Sequence, residues 1–145
     1  MNQERSKSLA KKSSNIEYML LTGLLVSFLS VGISFTVIYI PFIGKLLQKS
    51  FYLGFIPVII YIPVGAIVAY KTSKNKLFYS ALTGVLIAFF YSPIMSSLTV
   101  LIGIANTITP LGELASGMIK DSGFNLIFTL TGGIIYVTAK YYRSR

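Results

Sequence analysis

The chain has no cysteine, no histidine and no tryptophan, and only four acidic residues. Without cysteine there is no disulfide, thiolate metal site or thiol nucleophile. Without histidine the commonest acid–base group and metal ligand near neutral pH is missing too. The acids are few enough to weigh singly. Glu4 belongs to a polar N-terminal stretch, and Glu17 opens the first apolar run, where a negative charge complements a helix N-terminus. Glu113 and Asp121 flank residues 114–120 at a spacing that matches no recognised cation loop or acid–base pair, so both read as solvated charges. Gly132-Gly133 follows no strand and has no lysine beside it, which excludes a phosphate loop or dinucleotide fingerprint and leaves a close-packing site. No catalytic residue, metal or cofactor is therefore assigned, and a non-enzymatic protein is expected.

Long apolar runs dominate what is present. The 145 residues are 54% hydrophobic and 12% charged, with a mean hydropathy of +0.72, far from a soluble domain. Asp, Glu, Lys and Arg are absent from 18–44, 50–70, 77–112 and 122–139. Each run supplies the ~20 residues that cross a ~30 Å hydrocarbon core. The pattern predicts an all-α membrane protein, a four-transmembrane-helix bundle with spans at about 18–40, 52–70, 77–104 and 124–142. The runs are continuously apolar rather than alternating, which excludes a β-barrel. The first is longer than the ~7–15 residues of a signal-peptide core and no cleavage pattern follows it, so it is kept as a mature span.

Residues 1–17, with Arg5, Lys7, Lys11 and Lys12 among serines, read as a flexible basic tail preceding the membrane domain at 18–145. Pro41 should stop the first span, and the turn Lys71–Lys76 separates the second from the third. The third would be about 42 Å long at ~1.5 Å per residue, so it must tilt, kink at Pro93 or protrude. Residues 105–123 read as an outer loop, with Thr109-Pro110 starting a short interfacial helix whose apolar face is Leu111, Leu114, Ala115 and Met118.

A net charge of +9 raises the question of nucleic acid. The basic residues instead sit in tails and turns beside apolar spans, which points to the lipid bilayer as partner and not to nucleic acid. Ten of the 13 fall on one side of an up-down-up-down chain, and only Lys45, Lys49 and Lys120 on the other. The asymmetry predicts a cell (cytoplasmic) membrane protein with both termini in the cytoplasm.

Thr22–Phe28 and Thr83–Phe89 align closely, and both open a span on the same side, which raises a parallel duplication of two helical hairpins. Two faces of small residues stand out: Gly23, Ser27, Ser30 and Ser34 in the first span, and Ser80, Gly84, Ala88, Ser92 and Ser96 in the third. Small residues at such spacings let helix backbones approach closely, so these faces and Gly132-Gly133 are expected to pack helices, the first two against each other. Tyr-x-Pro recurs with Pro41, Pro63 and Pro93; mid-span prolines free carbonyls. The expected role is an accessory or scaffold subunit, or a homo-oligomer, joined to other membrane helices through those faces. The alternative is a channel or facilitator for a small uncharged or weakly polar solute along Ser30, Ser34, Tyr61, Tyr91, Ser92 and Ser96.

Overall fold

The computed structural model is all-helical and describes residues 2–39, 52–103 and 105–144, with side chains described for 14–36, 59–103 and 105–144. Among the described residues the helices are α1 (Asn2–Tyr39), α2 (Tyr52–Lys71), α3 (Lys76–Leu101) and α4 (Leu111–Arg143). Three stretches, Ser14–Thr36, Lys76–Leu101 and Leu111–Arg143, are long and apolar enough to cross a membrane. Ile59–Lys71 of α2 is apolar but shorter. The chain is thus a helical membrane protein. Pro41, Lys45 and Lys49 lie outside the described residues.

Two boundaries differ from the sequence reading for a shared physical reason. Helix α1 begins at Asn2, so residues that read as a flexible tail have helical backbone. Helix α4 runs unbroken from Leu111 to Arg143, so 111–123 is the start of a long helix and not a separate interfacial one. Composition argued otherwise: the early segment has too few apolar residues to pack alone, and each of Gly112, Gly117 and Gly123 costs about 1 kcal/mol relative to alanine in a helix. Once a long apolar helix exists, however, each added residue avoids the cost of nucleation and gains a hydrogen bond. Pro110, not Thr109, occupies the position before the first helical residue.

Helix α3 contains Pro93 and ends at Leu101, and Gly103 follows at φ 75°. The amide of Ile102 donates to the Leu98 carbonyl at 3.1 Å and that of Gly103 to Val100 at 3.0 Å. A glycine with positive φ is what such a helix end favours.

Helices α2 and α3 form a tight hairpin. Asn75 supplies the left-handed residue of its turn, at φ 50°. Lys76 reaches back across the turn, donating to the Ala69 carbonyl at 2.6 Å and to that of Thr72, with its ammonium 5.3 Å from the centre of the Tyr136 ring. The cation thereby satisfies the exposed carbonyls and complements the negative end of α2.

Helix α4 packs most extensively on α3 and next on α2, whereas α1 lies along α3 and barely touches α2. A twofold relating the hairpins would require α1 to pair with α2 as α3 pairs with α4. Among the described residues α1 and α2 touch far less than α3 and α4 do.

Candidate functional site

Two stripes of residues, each repeating every fourth position, face one another in antiparallel fashion. On α3 the stripe is Ser80, Gly84, Ala88, Ser92 and Ser96; on α4 it is Gly133, Thr129, Asn125, Asp121, Gly117 and Glu113. Fourfold spacing keeps each set near one helix face.

The end of the seam nearest the Lys71–Lys76 turn is closed. A side chain at Gly84 would meet the Asn125 carbonyl oxygen at 2.6 Å, and one at Gly133 would meet the Ser80 hydroxyl at 2.8 Å. Helix α2 joins the same junction. A Cβ at Gly65 would lie 2.8 Å from Thr129 Cα, and one at Gly132 would lie 2.8 Å from the Ile62 carbonyl carbon. The Ser80 hydroxyl bridges to the Gly65 carbonyl at 2.9 Å, and Thr83 and Thr129 bond to carbonyls of their own helices. Gly84 therefore faces α4, not the first helix. The α1 face meets a different part of α3: a Cβ at Gly23 would be 3.2 Å from Leu86 Cβ, and the Ser27 hydroxyl donates to the Ile87 carbonyl at 3.0 Å.

Toward its other end the seam opens. Tyr91, Ser92, Met95, Ser96, Thr109 and Glu113 are among the residues that line an open cleft of about 300 Å³. The Ser96 hydroxyl donates to the Thr109 hydroxyl at 2.9 Å and accepts from the Thr109 amide at 3.0 Å, which ties the 102–110 connection back onto α3. Deeper in, phenols from two helices converge on α1. Tyr61 bonds with Ser30 at 3.3 Å and Tyr91 with Ser34 at 3.0 Å. Ser92 lines the same cleft as Tyr91, and Asp121 is half-buried on the facing stripe of α4.

Of the sequence-derived solute path, Ser30 pairs with Tyr61, Ser34 with Tyr91 and Ser96 with Thr109, and Tyr91, Ser92 and Ser96 share the cleft. Sequence reasoning placed Thr109 and Glu113 in a loop outside the bundle, whereas both line the cleft. The signal was present in the repeat that runs from Glu113 through Gly117, Asp121, Asn125 and Thr129 to Gly133.

Asp121 lies about 22 Å along α4 from Tyr136 at ~1.5 Å per residue and is half-buried. Among the described residues no group of three or more His, Cys, Asp or Glu is positioned to hold a metal ion. No protein-family model, no curated protein and no solved structure matches this chain.

Proposed function

We propose that the chain is a four-span protein of the cytoplasmic membrane, with both termini in the cytoplasm, that admits a small polar solute from the outer side without catalysing a reaction. The observation that carries this reading is the graded seam between α3 and α4, sealed by glycines at the basic end and opening into a hydroxyl-lined cleft at the other. A transporter or facilitator uses such a form, in which a cleft open on one side is closed on the other by close helix packing. Orientation rests on charge, since Lys71, Lys74, Lys76, Lys140 and Arg143 all belong to the sealed end.

The accessory-subunit reading draws less support from the same geometry. Its basis was small-residue faces offered to other helices, and Gly65, Gly84, Gly132 and Gly133 are instead occupied by backbones and side chains of this chain. What still favours a partner helix is α1, whose Leu21, Leu25, Phe28 and Leu29 are more than half exposed. Reconstitution separates the two. Liposomes containing the purified protein should equilibrate glycerol or urea faster than empty liposomes, followed by light scattering after an osmotic step. No acceleration, together with a stoichiometric companion protein in mild detergent, would favour the accessory role.

A further inference from the structure

We propose that the groove beside the α2–α3 turn binds an anionic phospholipid, its phosphate held by the Ser73 hydroxyl and the Asn75 carboxamide beside Lys76 and its acyl chain laid on Leu77, Phe78 and Val137. The site belongs to the sealed end of the seam and stands whether or not the chain admits a solute.

The groove has about 500 Å³, within the ~300–1,000 Å³ of small-ligand sites, and Ser73, Asn75, Lys76, Leu77, Phe78 and Val137 line it. Its lining is graded from polar to apolar. Ser73, Asn75 and Lys76 lead into α3 and Leu77 and Phe78 follow, whereas on the antiparallel α4 Val137 precedes Lys140 by about one turn. On both helices the polar groups thus lie toward the helix ends and the apolar ones toward the span. Phe78 is 61% exposed and Leu77 39%, so the apolar wall is open to lipid. A phospholipid matches that order, headgroup outward and chain inward. A free anion has no use for the apolar half.

Charge sets the sign of the headgroup. The Lys76 ammonium meets the Ala69 and Thr72 carbonyls and the Tyr136 ring, all of them neutral, so these contacts leave its charge uncancelled. Among the described residues no carboxylate lines the groove. Lys140 follows Tyr136 by four residues on the same face of α4 and adds positive potential. Tyr136 also packs edge-on to Tyr70 at 5.8 Å, with the Lys71 ammonium 5.7 Å from the centre of the Tyr70 ring. Basic groups among tyrosines at the end of a span sit at headgroup level, where basic pockets between membrane helices recognise acidic headgroups. The hydrogen bonds fall to the turn: Ser73 and Asn75 are exposed, and the Asn75 side chain caps no amide of α3.

The test uses the full chain purified in a neutral detergent. Its melting temperature is followed while phosphatidylglycerol, phosphatidylcholine of the same acyl chains, or inorganic phosphate is titrated in. Phosphatidylglycerol should raise it, and the other two should not. Ser73→Ala/Asn75→Gly changes no charge, and glycine keeps the left-handed conformation of the turn residue. It should raise the phosphatidylglycerol concentration at half-effect about tenfold or more, the loss expected for hydrogen bonds to a charged group. If that variant is not monodisperse, Phe78→Ala, which removes the apolar wall without touching the charges, must weaken the effect instead. Equal stabilisation by both lipids, or an unchanged half-effect in the variants, would leave only a diffuse attraction to basic residues and overturn the site. Stabilisation by inorganic phosphate as large as by phosphatidylglycerol would overturn it in favour of a free-anion site, and stabilisation by none of the three would leave no ligand for the groove.

Discussion

Gly132→Ala should be among the most damaging single-carbon changes in this chain. Its new methyl group would stand 2.8 Å from the Ile62 carbonyl carbon and 2.9 Å from the Ala66 nitrogen, and closer still to the Ile62 oxygen. All three are backbone atoms, so no rotamer change relieves the clash. Ordinary contact begins near 3.4 Å, so α2 and α4 must part by more than half an ångström. Overpacking of this kind costs about 1–3 kcal/mol. The upper part of that range applies here, because close van der Waals contact is a main source of helix association in lipid. The opposing term is small, since alanine improves helix propensity by up to about 1 kcal/mol. Gly123→Ala is the matched control: its Cβ would meet nothing within 4 Å, so only the favourable propensity term remains. Thermal unfolding in detergent should place Gly132→Ala several degrees below the parent and Gly123→Ala level with it or above. Gly65→Ala meets Thr129 in the same interface, so the double variant should cost less than the two singles added, the first having already parted the helices. Equal melting of Gly132→Ala and the parent would refute the sealed seam.

Lys76→Met should cost about 1–2 kcal/mol and loosen the α2–α3 hairpin, because two carbonyls at the end of α2 lose a charged donor; chemical denaturation in detergent measures it. Ser96→Ala removes both bonds to Thr109, so amides of the 102–110 connection should exchange hydrogen faster while those of α2 are unchanged. Leu86→Phe should destabilise by about 1–3 kcal/mol, since Leu86 packs where α1 carries Gly23, and a neutral result would place α1 elsewhere. Cysteines introduced singly at Lys74 and Lys49 should be labelled by an impermeant reagent in intact cells only at position 49, and the reverse would invert the proposed orientation.

The helical class and most span positions were legible because the bilayer imposes a crude requirement. A run without charge and about as long as the hydrocarbon core has few alternatives, and 18–40 and 77–104 fall within or close to α1 and α3 on that basis. Helix partners follow from finer physics. The α3 stripe of Ser80 and Gly84 says that a backbone approaches there, but any helix with small residues satisfies it. The α1 face was the obvious candidate, with Gly23 and Ser27 at similar spacing. The partner is decided by which pair closes with least steric conflict, and glycines on α2 and α4 allow the three-way contact at Gly65, Gly84, Gly132 and Gly133.

Asp121 was obscured by the rule that made the spans visible. Charge was used to end a membrane segment, so Glu113 and Asp121, with Gly112, Gly117 and Gly123 around them, marked a loop. The same residues read at helical period continue the polar face of α4 without a break, from Glu113 to Thr129. A segment boundary inferred from one charge and a face inferred from a four-residue repeat are rival accounts of the same carboxylate. In a membrane helix the repeat is the stronger of the two when the facing stripe offers hydroxyls. Ser92, one turn beyond Ala88, then belongs to the stripe that faces the one carrying Asp121.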